Sequence, residues 1–172
     1  MYTDEKNAQI VLALLKEKGI RRIIISPGTT NGPITGSVRD DPFFEVFSAV
    51  DERSAAYMAC GMAHDSGEPV ALSCTGATAS RNYLPGLTEA FYRKLPVLAI
   101  TSMVSTRYVG NLRAQVIDRS TIPNDVAKRS VTLDPVVTED DFRFAELQAN
   151  IAMEELFRDG GGPSHIQLIT EE

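Results

Sequence analysis

Apolar residues recur every three or four positions across residues 7–18 (NAQIVLALLKEK), which predicts a helix stopped by Gly19. The β-branched run 21–25 (RRIII) predicts a strand, and it ends in a loop of turn formers, 26–33 (SPGTTNGP). A second apolar strand is expected over 43–50, followed by a helix from Glu52 to Gly67. A third strand, 69–74 (PVALSC), turns through TGATAS into a helix reaching about Lys94, and 96–101 (PVLAIT) reads as a fourth. Residues 102–125 lose periodicity and read as a loop with a short helix; 128–131 is a small fifth strand. Thr138 starts a long helix with Asp141 at its third position, a capping-box pattern, and Phe142, Ala145, Ala149, Ala152 and Leu156 form its apolar stripe. Glycines 160–162 close it before a last strand, 164–169 (SHIQLI).

Strands alternating with helices of this length indicate βα units. The strands are near-continuous apolar runs, as burial on both faces of a parallel sheet requires. The expected fold is therefore α/β: one doubly wound domain over 1–172, with a mostly parallel sheet of about six strands and helices on both faces. No repeat, low-complexity segment or linker interrupts it. Ligands of open parallel sheets bind beyond the carboxyl ends of the strands. That rule selects the loops at 26–33, 50–53, 74–80 and from 101 onward.

Composition narrows the partners. The chain is 43% hydrophobic and 23% charged with a net charge of −6, the profile of a folded globular protein. No Lys/Arg stripe marks a nucleic-acid or anionic-membrane surface. The polar N-terminus and short apolar runs match neither a signal peptide nor a membrane span. Cys60 and Cys74, with His64 and His165, have no metal-ligand spacing, so no metal site is expected, and the thiols read as buried residues of a cytoplasmic protein.

The stretch 49–64 (AVDERSAAYMACGMAH) poses the chemical question. Helical periodicity puts Glu52 on the stripe of Ala55, Ala56, Ala59, Cys60 and Ala63, while Arg53, Ser54, Tyr57, Gly61, His64 and Asp65 face away. Asp51 serves as N-cap, and an acid in the first turn favours the helix dipole without further role. Glu52 is then the surplus acid, at the head of a buried stripe and on the ligand edge. Burial raises a carboxyl's pKa and a helix N-terminus lowers it, a balance suited to sharing a proton with a ligand nitrogen. SCTGATAS has a glycine between strand and helix, which suits either a tight βα turn or an anion contact; it lacks the spacing of dinucleotide and P-loop motifs. Cys74 as a nucleophile would need a base that the sequence does not point to. The arginines at 107, 113 and 119 suit either a carboxylate or a solvated loop.

SPGTTNGPI, VDERSAAYMACGMAHDSGEPVALSCTGATA, NYLPGLTEAFYRKLPVLAITS and GGPSHIQLI together resemble the pyrimidine-binding domain of thiamine-diphosphate enzymes. The pattern is most similar to the menaquinone-pathway succinyl-enolpyruvyl-hydroxycyclohexene-carboxylate synthases, which read S-P-G-S-R-N-x-P, D-E-R-S-A and C-T-S-G-T-A at these places. The resemblance implies the thiamine-diphosphate-binding fold. It also implies that Glu52 is the catalytic glutamate that hydrogen-bonds the aminopyrimidine nitrogen, in a decarboxylase or carboligase of a 2-oxo acid. It further implies cofactor contacts from Pro27, Gly28, Thr75, Gly76 and Thr78, and substrate contacts from Thr29, Thr30 and Gln115. The departures are Thr30 where the family has an arginine, a glycine shifted by one place in CTGATA, and Ser102-Met103-Val104 where the family has D-R-P.

The family binds the diphosphate and Mg²⁺ with a second domain marked by G-D-G and N-N, and neither motif occurs in this chain. The expected partners are therefore a diphosphate-binding domain or a β-type subunit, with a homodimer or higher assembly. A domain of a longer enzyme and an α-type subunit, as in sulfopyruvate- and phosphonopyruvate-type decarboxylases, both fit, and the start at Met1 favours the subunit. A non-catalytic binding or regulatory module of the same fold is the alternative.

Overall fold

The computed structural model describes residues 2–119 and 121–170. Six strands, β1 (Arg22–Ile25), β2 (Glu45–Ser48), β3 (Val70–Thr75), β4 (Val97–Met103), β5 (Arg129–Leu133) and β6 (Ser164–Ile169), form one sheet in the order β2-β1-β3-β4-β6-β5. Every pairing is parallel. The helices are α1 (Lys6–Glu17), α2 (Gly32–Asp40), α3 (Glu52–Ser66), α4 (Ala77–Asn82), α5 (Leu84–Arg93) and α6 (Glu139–Glu154). The expected doubly wound α/β domain is the fold observed. None of its helices is long and apolar enough to cross a membrane among the described residues.

Strand alternation divides the core in two. Ile23, Ile25, Leu98, Ile100, Ile166 and Leu168 meet the apolar faces of α1 and α6. On the other side, Ile24, Val70, Leu72, Cys74, Val97 and Ala99 meet α3 and α5. The α3–α5 contact is close because both surfaces are small. A Cβ placed on Gly86 of α5 would lie 2.5 Å from Ala56 Cβ and 3.0 Å from Ala56 carbonyl carbon.

The helix starts follow their capping chemistry. Asp51 caps α3 by accepting from Ser54 N–H at 2.7 Å, and Gly67 ends it in the left-handed conformation, φ 70°. At α6, Thr138 Oγ1 accepts from Asp141 N–H and Asp141 Oδ2 accepts from Thr138 N–H, the complete capping box. Along its expected stripe Ala145, Ala149 and Ala152 are buried and Leu156 just beyond it is too, but Phe142 is exposed.

Three further expectations need revision. α2 has no counterpart in the periodicity, because only Ile34, Ser37 and Val38 are buried along its nine residues. The single helix expected after TGATAS is two, broken at Tyr83 just ahead of Pro85, whose missing N–H suits only a first turn. β2 is an edge strand exposed at all four residues, so burial on both faces holds for β3, β4 and β6 but not for β2. Tyr83, at the break between α4 and α5, is fully buried core.

Replacing Gly86 with Ala is expected to push α5 off α3 and to cost about 1–3 kcal/mol, as overpacking does. Urea unfolding followed by circular dichroism reads this directly; an unchanged midpoint would show that the two helices separate freely.

Candidate functional site

The carboxyl ends of β1, β3 and β4 lie side by side, so the loops after them converge at one edge. Three interactions fix them. Asn31, fully buried, donates from Nδ2 to Ser26 O and Ser73 Oγ, both at 3.2 Å, and accepts Gly28 N–H at 2.8 Å. The carbonyl of Ser102 accepts Gly76 N–H and Thr30 Oγ1–H, each at 2.5 Å. Thr30's own carbonyl accepts the Thr170 hydroxyl at 3.1 Å.

Glu52 opens α3 at this edge, half-buried. Its Oε2 accepts Asn82 Nδ2–H from the end of α4 at 3.4 Å, and Oε1 has no partner among the described residues. Beneath it lie Cys74 and Tyr83. The Cys74 thiol donates to Thr75 O at 3.1 Å, and burial, with the negative charge of Glu52 adding to it, pushes its pKa up to about 12. A thiol held neutral this firmly is no nucleophile at ordinary pH. Burial likewise pushes the Tyr83 hydroxyl well above its ordinary value, with Cys74 beside it.

The residues expected to contact the cofactor fall into one neighbourhood. Pro27 and Gly28 are exposed on the first loop, and Gly28 is so close to β3 that a Cβ would meet Thr75 Cγ2 at 2.2 Å. Thr75 is buried, Gly76 leads into α4, and Thr78 is exposed on it. At Gly76 a Cβ would lie 2.8 Å from Met103 Cβ. Ala77 then takes the left-handed conformation, φ 57°.

The residues expected to contact substrate do not stay together. Thr29 is exposed at the edge, and Gln115 is exposed with φ 59°. Thr30 is buried and gives its hydroxyl hydrogen to Ser102 O, so it braces the loops rather than offering a donor outward. The three arginines also separate. Arg107 is exposed, and Arg113 stacks over the Tyr108 ring at 4.3 Å. Arg119 is drawn inward, donating from Nη1 to Ser80 Oγ. Burial, then the like charge of Arg81, pulls its pKa down to about 10.

Arg119 lies near an unusual half of the sheet. Thr101 and Met103 of β4, His165 and Gln167 of β6, and Ser130 of β5 meet one another on the same face as α3 and α5, over the part of the sheet those helices do not cover. His165, fully buried, bridges Thr101 Oγ1 at 2.8 Å and Ser130 Oγ at 2.7 Å. Burial, with Arg119 contributing, drops its pKa to about 3. Asn82 and Tyr83 carried no signal of their place at this edge in the sequence, whereas Asn31, set among Gly and Pro, had turn chemistry to mark it and Arg119 stood among the arginines already singled out.

A half-buried acid at the head of a small-residue helix, flanked by two glycine loops at the carboxyl edge of a parallel sheet, defines a cofactor-binding α/β domain. Comparison with known families makes the class specific. Residues 5–124 match the family described as thiamine pyrophosphate enzyme, N-terminal TPP binding domain. The chain belongs to that family. The 2-succinyl-5-enolpyruvyl-6-hydroxy-3-cyclohexene-1-carboxylate synthase of Bacteroides thetaiotaomicron is 34% identical over 172 residues, all of this chain and 31% of the relative. The same-named enzyme of Porphyromonas gingivalis is 40% identical over 116 residues, covering 67% of this chain and 20% of the relative. The chain thus spans about a third of the length of the first of these. Among solved structures, the Rhodococcus jostii RHA1 thiamine diphosphate-dependent 4-hydroxybenzoylformate decarboxylase superposes with a TM-score of 0.79 at 20% identity, over 95% of this chain and 30% of that one. That likeness speaks for the fold.

Two outcomes follow. Ala77→Gly is expected to raise stability by about 0.5–1 kcal/mol, since glycine accepts the left-handed backbone without strain; urea unfolding measures it. His165 has its folded pKa depressed from an ordinary 6.5 to about 3, so its contribution is complete above pH 6.5 and is lost as pH falls from there toward 3. Between pH 6.5 and 5.5, above the range where carboxylates titrate, stability should fall by on the order of 1 kcal/mol. His165→Gln should flatten that segment of the pH–stability curve, and an unaltered slope would refute the assignment.

Proposed function

We propose that this chain is the pyrimidine-binding half of a thiamine-diphosphate-dependent enzyme acting on a 2-oxo acid, as decarboxylase or carboligase. Glu52 is the observation that carries this. Neither its cap, which is Asp51, nor its packing stripe needs a carboxyl there, and its Oε1 is left without a partner. The surroundings fit an aminopyrimidine. A carboxyl stands ready for a ring nitrogen, and the loops after β1 and β3 pack at the same sheet edge without room for side chains at Gly28 and Gly76, where a Cβ would meet Thr75 and Met103. Thiamine diphosphate, when bound, supplies an acidic thiazolium carbon and an electron sink.

The chain's own work is to place and move one proton. Glu52 holds it at Oε1 for the ring nitrogen, and Asn82, bonded to Oε2, keeps the carboxyl from rotating away. Pro27, Gly28, Thr75, Gly76 and Thr78 wall the pyrimidine side, while Thr29 and Gln115 face the substrate side. Mg²⁺ and the diphosphate belong to a partner half. The exposed Tyr57 and Met58 on the outer face of α3 support pairing with a second copy in a cytoplasmic enzyme. The synthase relatives represent the carboligase form. Thr30, turned inward where that family has an arginine, supports a different acceptor.

With the diphosphate-binding half supplied, Glu52→Gln is expected to slow both turnover and deuterium exchange at the thiazolium carbon by on the order of 10²–10⁴-fold, with Glu52→Asp in between. Exchange followed by NMR isolates the proton step from substrate chemistry. Near wild-type exchange in Glu52→Gln would sink the role given to Glu52.

A further inference from the structure

We propose that the hydroxyl of Tyr83 is a second donor for the Glu52 carboxyl, held beneath it while Asn82 holds it from outside, and that it pairs with the acid when the site is occupied. Its catalytic meaning rests on the function proposed above for Glu52. Tyr83 stands at the break between α4 and α5, directly after Asn82, whose Nδ2–H reaches Glu52 Oε2 at 3.4 Å. Asn82 is exposed, and the next residue turns inward. The Tyr83 ring is fully buried in the cluster that holds Cys74 of β3 with Ala55 and Ala56, one turn along α3 from Glu52.

Packing does not ask for that hydroxyl. Tyr83 Oη is buried and has no hydrogen-bond partner among the described residues. The Cys74 thiol and the Ser26 hydroxyl stand beside it. Both have committed their hydrogens elsewhere, Cys74 to Thr75 O at 3.1 Å and Ser26 to Ala49 O at 2.7 Å, and neither meets Oη in hydrogen-bonding geometry. A donor taken out of water and left unpaired costs stability, and phenylalanine would fill the same space without that cost. Burial, with Cys74 and then Glu52 adding to it, keeps the phenol protonated, so it remains a donor.

An acceptor short of donors lies at the same place. Glu52 receives one hydrogen bond among the described residues, the long one from Asn82. Hydrogen bonds of an empty catalytic site are commonly long and tighten when it fills. With Oε1 given to a ring nitrogen, Oε2 is left to the chain itself, and a carboxylate oxygen accepts two hydrogen bonds. Asn82 supplies one from the outer side and Tyr83 the other from beneath. Their joint effect falls on the proton. When it passes from Oε1 to the ring nitrogen, the charge left on the carboxylate is shared between two donors, which favours the transferred state. Tyr83 is therefore a positioning residue, acting through Glu52 without touching the ring.

Tyr83→Phe removes the hydroxyl and keeps the ring, and two measurements on it are expected to move in opposite directions. The melting temperature of the 172-residue chain should rise by about 2–4 °C, because an unpaired buried donor is gone. With the diphosphate-binding half and thiamine diphosphate supplied, deuterium exchange at the thiazolium carbon should slow by about tenfold. The cofactor concentration giving half-maximal exchange should stay within about twofold of wild type, since Tyr83 does not touch the ring. A purely structural tyrosine would lower the melting temperature and the exchange rate together. A lowered melting temperature, exchange at the wild-type rate, or a cofactor requirement raised tenfold would each overturn the assignment. Glu52→Gln, run alongside, separates the two readings: if it is slow while Tyr83→Phe is not, the assignment of Tyr83 falls alone, and if both exchange at the wild-type rate the role of Glu52 falls with it.

Discussion

The carbonyl of Ser102 is where the site is held together. It receives the N–H of Gly76 from the loop after β3 and the hydroxyl of Thr30 from the loop after β1, each at 2.5 Å. One acceptor with two lone pairs thus ties two loops to the end of β4, where the parallel strands bring them to one edge but do not themselves join them. Without it, the loop before α2 would keep Asn31, the Thr170 hydroxyl on Thr30 O and the Ser26 hydroxyl on Ala49 O, but none of these would reach the loop before α4 at Gly76. The constraint also consumes Thr30. A hydroxyl buried to brace a carbonyl cannot point at a ligand, and an arginine at this position could not occupy the same space.

The same tie explains the shifted glycine. The related synthases carry C-T-S-G-T-A where this chain reads Cys74 to Ala79 as CTGATA. At 76 the backbone is pressed against Met103, with 2.8 Å to where a Cβ would sit, so glycine is required by space. At 77 the backbone is left-handed, so glycine would be favoured by conformation, and alanine occupies it. The chain meets the harder demand, a clash with a neighbour, and accepts about 1–2 kcal/mol of strain for the softer one. Strain retained next to a candidate site belongs with the close approach that the loop maintains.

How much of this was legible in the sequence depends on which physical signal each feature leaves. Parallel strands leave apolar runs, and β3, β4 and β6 were readable for that reason; the edge strand β2 reads the same way because Val46 and Phe47 are apolar yet exposed. Caps leave fixed spacings, so Asp51 and the Thr138–Asp141 box were readable too. Helix α2 left no stripe because it buries so little. The candidate acid was legible as a residue with nothing else to do. Its neighbours Asn82 and Tyr83 were not, because they matter through distances across the chain; Arg119 was singled out with Arg107 and Arg113, but an arginine drawn inward looks, in sequence, like the exposed Arg107 twelve residues before it.

The small-residue stripe on α3 connects the packing to the chemistry. Ala55, Ala56, Ala59, Cys60 and Ala63 are all buried, and their size lets α5 come down until Gly86 touches Ala56. α4 and α5 are nearly continuous, so the depth at which α5 seats also sets the height of Asn82, four residues before Gly86. Asn82 then reaches Glu52 across 3.4 Å. A larger residue anywhere along that contact would lift the α4–α5 unit away from the acid by a fraction of an ångström per added methyl, and a hydrogen bond already at 3.4 Å has no slack to absorb it. The stripe and the carboxyl at its head are therefore one arrangement. Small residues bring the helices close, and their closeness is what orients the acid.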